Sequence, residues 1–486
     1  MTVLQWLRRL ATILSHDGAA PADVDILPWP SLDLPSKDII ITFVLVIPAR
    51  LNVDHLRRAL FECIEHKIPR AGARLSYRNK KYEYHIPRVF ADNVPPAAFT
   101  NAHHDAPLIA FDVPRPSMGS IQPYVVEMPK IAHLVRGPNA PKKLADLLRP
   151  CTPALHVHVC TLEDATLIGI TSSHSLFDIH GVRALTSAWT AALDGNLESV
   201  QTMPRLFSPL ADVLASTPLI PLPKHEPVRH YYNPGWFSKG RFILAFVWRM
   251  ITSGPETRKL VCFPKAWLAE QKTLCMDVAS KSHEYVGTAD VLLAWWYKVL
   301  YAHRRDSTLV RVKTVVNLRR LLPSFFVAPY LNNAATWCSV QPPIQARDLG
   351  SQPVSTTALA IRRSINAYVA NVDTLRSEMA WIAQFAGVGK FVLPYLPGEE
   401  MVVVSNWRSA ELRLLDFAAA RADDSDSVAP CRPVLILSYT AKGGLPLTGV
   451  GSICCETDDT LWLNFTLPDA EWRRLKESGI IAFVGE

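Results

Sequence analysis

The run Ser173-His174-Ser175-Leu176-Phe177-Asp178 places an imidazole four residues ahead of a carboxylate. A neutral imidazole accepts a proton near pH 7, which few other side chains do efficiently, and the carboxylate offers an orienting partner. The chemistry available to such a pair is removal of a proton from a weak nucleophile such as a hydroxyl. Spacing alone leaves two readings open, because a His and an Asp four apart often arise by chance. On spacing alone, a histidine with purely structural bonds is the commoner outcome of such a pattern.

Other residues offer weaker chemistry. His180 is a rival base, but beyond Asp178 and beside Gly181 it reads as a turn residue. Cys160, at a strand end, reads as a buried thiol rather than a nucleophile. His156 and His158 share one strand face, yet no third metal ligand accompanies them. His103-His104-Asp105 lies in a polar stretch without a pattern. Gly387-Val388-Gly389-Lys390 fails as a phosphate loop, with Gln384 at the first glycine position and Phe391 in place of Ser or Thr. Lys259, Lys265 and Lys298 could meet phosphates, and Thr288 opens a helix between them; the ordinary reading of each lysine is a solvated charge.

The elements around His174 are legible. Leu155–Cys160 and Leu167–Ser172 read as strands joined by a polar turn at Glu163-Asp164. After Gly181 the spacing of Val182, Leu185, Trp189 and Leu193 predicts a helix with one buried face. His174 and Asp178 therefore sit on a loop held at both ends by packed elements, a common place for function. Upstream, Ile39–Ile47 reads as a buried strand, and Val53, Leu56, Leu60 and Ile64 predict a helix capped by Asn52. Pro87–Pro153 gives no readable periodicity, and residues 203–234 read as a proline-rich crossover. Further on, a helix capped by Thr288 is apolar almost all round. Strands near Val310–Val316, Val402–Ser405, Val434–Tyr439 and Leu461–Leu467 alternate with helices near Thr357–Ala370 and Asp469–Ser478. This mixture predicts an α/β (α+β) protein of two layers of similar size.

A chain of 486 residues is too long for one ordinary core. With 49% apolar and 20% charged residues it reads as globular rather than disordered. The net charge of +7 is spread out, as at Arg57, Lys142 and Arg362, without the basic runs of nucleic-acid binders. Nine cysteines include no Cys-x-x-Cys pair, and most lie in apolar segments, which predicts reduced thiols and a cytoplasmic protein. Adjacent Cys454 and Cys455 read as opposite faces of one strand. The opening residues through Arg9 carry their charge after the apolar part, unlike a secretory signal. The longest apolar run, Ile39 to Pro48, is too short for a bilayer. No membrane partner is expected.

Several blocks together resemble one family. His174-Ser175-Leu176-Phe177-Asp178 is similar to the His-x-x-x-Asp motif of the BAHD acyltransferases, including fungal members acting on secondary metabolites. Ile179 replaces the glycine usual after that Asp, whereas Gly181 is kept. Val316-Asn317-Leu318-Arg319, then Leu322-Pro323 and Pro329-Tyr330-Leu331-Asn332-Asn333, look like the family's Asn-Leu-Arg segment and Tyr-Phe-Gly-Asn turn, with Phe and Gly replaced. Thr288-Ala289-Asp290 is similar to a family helix start. Ser405-Asn406-Trp407-Arg408 and Asp416-Phe417 resemble the Thr-Ser-Trp and Asp-Phe-Gly-Trp-Gly segments, but Ala418, Ala419 and Ala420 stand where Gly, Trp and Gly are usual. Ser31-Leu32-Asp33 and Pro69-Arg70-Ala71-Gly72-Ala73-Arg74-Leu75 match further landmarks.

The resemblance spans nearly the whole chain and implies two similar domains of chloramphenicol-acetyltransferase-like fold with a channel between them. The division expected is 1–202 with the His174 loop, a linker at 203–234, and 235–486 with the Asn317 and Ser405 segments. It implies a monomer that takes acyl-CoA, in the first instance acetyl-CoA, and a small alcohol, without a metal. His174 would be the general base; Ser405 and Trp407 would face the developing oxyanion; Asp178 would hold the loop through Arg319, with Asn317 and Gly181 in support. Asp416 would shape the channel lip, though the alanines after it disfavour any backbone with φ > 0 there. Two other readings stay open: a condensation-type enzyme fed by a carrier protein, against which Ser173 and Ile179 speak, and a non-catalytic homologue, which the Ala418–Ala420 segment favours and intact His174, Asp178 and Trp407 oppose.

Overall fold

The computed structural model describes residues 23–114, 121–217, 231–232, 235–387, 392–422, 429–441 and 448–485. Val388, Gly389 and Lys390 of the failed phosphate loop, and residues 218–230 and 233–234 of the expected linker, lie outside them.

Among the described residues the strands form three sheets. The Ile40–Ile47 run is buried at all eight positions, as a β-branched segment covered on both faces should be. It becomes strand β2 inside a five-stranded sheet, ordered β14 (Leu435–Thr440), β2, β8 (Thr166–Ser173), β7 (His156–Thr161) and β5 (Ala98–His103). A second sheet runs β11 (Ala335–Ser339), β10 (Leu309–Asn317), β13 (Glu400–Asn406), β15 (Val450–Glu456), β16 (Thr460–Pro468), β9 (Glu256–Pro264), β6 (Tyr124–Glu127) and β17 (Ala482–Phe483), with β12 (Ile344–Gln345) also on β10. A small third sheet joins β1 (Val24–Pro28), β4 (Lys81–Pro87) and β3 (Arg74–Arg78).

The sheets exchange strands. β6, from the proline-rich stretch that showed no period, lies in the large sheet beside β9, with Tyr124 opposite Cys262. β14, from late in the chain, closes the edge of the five-stranded sheet, with Leu437 opposite Val44.

Numbering the longer helices in order, α1 (Val53–His66) begins at Asn52, whose side chain accepts the His55 N–H at 2.9 Å. α2 (Ile179–Leu193) follows the His174 loop, and α3 (Trp236–Thr252) follows the crossover. α4 (Lys265–Ala279), α5 (Thr288–Tyr301) and α6 (Val354–Ala370) cover one face of the large sheet, and their core includes Trp296, Leu463 and Phe465. α7 (Val372–Gly387) and α8 (Asp469–Ser478) complete the set. A second core joins the five-stranded sheet, α1 and α2 to the opposite face of the large sheet through Leu260, Cys262 and Trp462.

The structure departs from the sequence reading in three places. The cap of α5 is Gly287 rather than Thr288, because Asp290 reaches back to accept the Gly287 N–H at 2.6 Å. The crossover is not bare coil, since Pro209–Ala215 is helical and buries Leu210 and Val213 beside Leu318 and Tyr330. Finally, α3, β9, α4 and α7 carried no assignment from sequence; α3 is apolar on most sides, and the apolar residues of the others lack a clean period.

Candidate active site

The loop leaving β8 is tied down residue by residue. Ile40 pairs with Ser173, so the chain leaves β8 beside the start of β2, and the His174 N–H donates to Ile39 O at 2.8 Å. The Ser173 hydroxyl donates to Lys37 O at 2.7 Å, and Leu176 N–H closes a turn on Ser173 O at 3.0 Å. The carbonyls that this turn turns outward are taken by the other half of the chain. Asn333 Nδ2 donates to His174 O at 2.7 Å, and Asn332 Nδ2 to Ser175 O at 3.2 Å. The His174 ring is half-buried. Its Nδ1 is buried without a hydrogen-bond partner, which leaves Nε2 as the ring nitrogen facing accessible space.

Asp178 makes no hydrogen bond to that ring. Its carboxylate caps α2, accepting the Gly181 N–H at 2.8 Å, and also accepts the Ala334 N–H at 2.9 Å. Arg319 binds both of its oxygens, at 2.8 and 3.0 Å. Burial pushes this carboxyl up, but the Arg319 charge and its hydrogen bonds outweigh that and hold it below the usual range. Arg319 also donates to Tyr330 O and Asn332 O, each at 2.8 Å. The turn carrying Arg319 is set by Asn317, whose side chain accepts the Arg319 N–H at 3.0 Å. Gly181 is required by contact: a Cβ there would lie 1.9 Å from Leu331 O. The residues from 317 to 334 thus form one clamp over the His174 loop.

The clamp is braced by groups to which the sequence reading gave no role. Arg70 is fully buried; it donates to Asn332 Oδ1 at 2.9 Å and to the Arg205 and Phe207 carbonyls. Asn332 also donates to the Tyr84 hydroxyl, which in turn donates to Ser175 O. Asp33, fully buried, accepts from Asn333 Nδ2 at 3.1 Å, while its Oδ2 has no partner. Burial raises the Asp33 carboxyl well above its ordinary range, against the lowering effect of Asn333, and the Asp178 charge adds to the rise. The signal available in the sequence was a charge inside an apolar run, Ile68-Pro69-Arg70-Ala71, since a buried charge needs dedicated partners.

Ser405 and Trp407 reach the same region from the neighbouring strand. β10 and β13 run parallel, with Thr314 beside Val404, so Asn317 and Trp407 leave the sheet at the same end. Carboxyl ends of parallel strands are where ligands commonly bind in α/β sheets. The two exits are built alike, for Asn406 accepts the Arg408 N–H at 3.2 Å as Asn317 accepts that of Arg319. The partly exposed Trp407 packs on Phe43 of β2, with ring centroids 5.5 Å apart. The following turn is held to α2: Ser409 Oγ lies 3.3 Å from His180 Nε2, and Arg183 donates to Glu411 O at 3.0 Å. Burial lowers the His180 pKa. Across the sheet from Ser405 stand Ser452 and Asn464, both buried and polar, and Asn464 Nδ2 has no partner. That row was invisible in sequence, because only strand pairing aligns its members.

Other candidates lie apart from this region. Asp416 Oδ1 accepts the Ala418 and Cys431 N–H groups at 3.0 and 2.7 Å. Next to it Phe417 packs on Trp189, about 15 Å along α2 from Asp178. Ala418–Ala420 form a 3-10 turn with no positive φ, so alanine is unstrained there. Lys259 pairs with Glu127, Lys265 with Glu456 at 2.8 Å, and Lys298 donates to Gln352 O at 2.9 Å. Thr288 sits half-buried at the start of α5. The structure does not gather these four into one place. His158 bonds Thr100 at 2.8 Å, and His103 bonds Thr161 and Asp105. All nine cysteines are unpaired and eight are buried; burial raises Cys160 to about 11. Among the described residues no helix is long and apolar enough to cross a membrane.

No family model matches the chain. Among curated proteins it is similar to acetyltransferase adrJ of Penicillium roqueforti, 31% identical over 402 residues that cover 76% of each chain. It is also similar to acetyltransferase pyiB of Pyricularia grisea, 25% identical over 93% of each. Among solved structures it resembles TRI101 of F. graminearum complexed with coenzyme A and T-2 mycotoxin, with a TM-score of 0.64 at 14% identity, covering 93% of this chain and 97% of that one.

Proposed function

From the premise that this chain belongs to the BAHD acyltransferase family, we propose that it moves an acetyl group from coenzyme A to a hydroxyl of a small secondary metabolite, with His174 as general base. The observation that carries the reading is the His174 loop, fixed by both halves of the chain, with Nδ1 buried and Nε2 left accessible. A hydroxyl attacks a thioester only as it loses its proton, and a positioned base contributes about 10²–10⁴-fold in rate.

In this reaction Nε2 takes the acceptor's proton while the acceptor oxygen bonds to the thioester carbonyl carbon. The carbonyl oxygen becomes an oxyanion, for which the Ser405 hydroxyl and the Trp407 indole N–H are the proposed donors; one such donor is worth about 10²–10³-fold. When the carbonyl re-forms, the carbon–sulfur bond breaks and the departing thiolate takes the proton from His174. The ester and free coenzyme A leave, and the imidazole is neutral again. No covalent enzyme intermediate is needed. Asp178 and Arg319 position the loop and do not touch substrate. A division into halves at 203–234, with the acceptor and coenzyme A arriving by opposite mouths of a channel at His174, belongs to the same proposal.

The test is incubation of the purified protein with acetyl-CoA and a panel of alcohols, following thiol release by absorbance and the ester by mass. His174→Ala should lower turnover by about 10²–10⁴-fold with an unchanged melting temperature. Full activity in that variant rejects His174 as base. Transfer from an acyl carrier protein but not from acetyl-CoA rejects the donor.

A further inference from the structure

Helix α3 (Trp236–Thr252) carries three cations, Lys239, Arg241 and Arg249, and no acidic residue. None of its described side chains is fully buried. Its inner side carries Phe242, which stacks on Phe246 and packs on Tyr395 at 5.0 Å, and Arg249, whose charge acts on Tyr395 and Tyr301. At 100° per residue the opposite side is a continuous apolar stripe of Trp236, Gly240, Leu244, Val247 and Ile251, widened by Phe237 and Trp248. Trp236 is 86% exposed, Leu244 71%, Trp248 68% and Ile251 72%. A surface helix normally turns its apolar face to the core; this one turns it to solvent. Scattered exposed hydrophobics need no explanation, but a stripe along the whole helix, about 25 Å, does.

We infer that α3 is a peripheral membrane anchor, lying in the surface of a bilayer rich in anionic phospholipid. Charge selects this occupant. Arg241 borders the stripe and the helix carries no acidic residue, which complements an anionic headgroup layer. A second copy of the same face would bring Arg241 towards a like charge, with no acid on either helix to answer it. The chain's first 22 residues, another apolar stretch, carry Arg8 and Arg9 against one acid, Asp17, and are no more complementary. Tryptophan at both ends of the stripe suits the water–lipid boundary, where an apolar ring with one N–H is at home. This inference departs from the expectation of no membrane partner, which rested on the lack of a spanning segment; an interfacial helix needs none.

Placement lets the anchor be separated from catalysis. α3 packs on Tyr395, in the segment leading into β13 at Glu400, whereas Ser405 and Trp407 lie at the other end of that strand, about 20 Å away.

The experiment is sedimentation of the purified full-length protein with vesicles of phosphatidylcholine, with and without phosphatidylserine, at low and high salt. Binding is expected to phosphatidylserine vesicles and to weaken with salt. Leu244→Asp and Trp248→Asp should each weaken it about 10-fold or more. Arg241→Ala, which leaves the stripe intact, should weaken it about 5-fold. Acetyl transfer and melting temperature should not change in any of the three. No binding at low salt, equal binding to both vesicle types, or full binding by Trp248→Asp overturns the inference. So does a wild-type dimer in analytical ultracentrifugation that these variants dissociate, since a second copy would then be the occupant.

Discussion

Four residues apart in sequence, His174 and Asp178 could have formed a proton relay, yet the Asp178 oxygens are committed to Arg319, Gly181 N–H and Ala334 N–H. Removing the charge from Asp178 leaves the largely covered Arg319 guanidinium, 16% exposed, without its counter-charge. Asp178→Asn should therefore cost about 3–5 kcal/mol in chemical denaturation. The sign with pH follows from the lowered pKa. The folded state favours the ionised form, so this stabilisation is complete above the unfolded pKa of about 4 and is lost as pH falls through the folded value. The gap between wild type and variant should close in acid; a gap independent of pH would exclude the ion pair as its source. Asp33 has the opposite sign. Its carboxyl is held protonated well above the usual range, so the folded state binds the extra proton and wild-type stability declines as pH rises from about 4 towards that raised pKa. Asp33→Asn, which cannot ionise, should lack this decline. Parallel urea titrations of the two proteins at pH 4, 6 and 8 would show it, and curves of equal slope would refute it.

At the scale of elements, the site is where three segments meet: the turn after β8, the clamp after β10, and the turn after β13. The close approach of α2 to Leu331 decides their spacing, and Gly181 permits it. Gly181→Ala forces that backbone apart, so it should destabilise by about 1–3 kcal/mol and lower turnover together. Thermal melts alongside the thiol-release assay check this; an unaffected kcat would mean the clamp does not position His174. The elements of this site were mostly legible. β8, α2, β10 and β13 follow from β-branched runs and a 3.6-residue period, and each lies within two residues of its expected limits except at the start of α2. α3 was not legible because it is apolar on most sides, at Phe242 and Phe246 as well as along the outward stripe, and β6 because four residues among prolines carry no pattern of their own.

For the whole molecule, the exchanged strands matter most. The five-stranded sheet takes β14 from residues 435–440, and the large sheet takes β6 from 124–127. Residues 1–202 made alone would lose β14 and leave the edge of β2 open along the six residues, Ile41–Val46, that pair with it. Such a fragment should aggregate or lack the near-ultraviolet dichroism of a packed core, and the intact chain should melt in one transition. A soluble, cooperatively melting fragment would show that the halves fold independently. The Arg70–Asn332 and Asn333–His174 bonds cross between the same halves, so site geometry and global stability are linked.

The amino-acid sequence by itself determined which residues could do chemistry and which local elements would carry them, because periodicity, capping and motif order are properties of neighbours along the chain. It also pointed to Arg319 as the partner of Asp178, through the family resemblance. Only the tertiary structure decided that Asp33, Arg70, Asn332 and Asn333 brace the His174 loop, that Ser405, Ser452 and Asn464 stand in a row, and that α3 shows its apolar face to solvent. Each of these depends on contacts between residues tens to hundreds of positions apart, or on which side of a helix the rest of the protein leaves uncovered. Such contacts are set by the packing of whole sheets and helices.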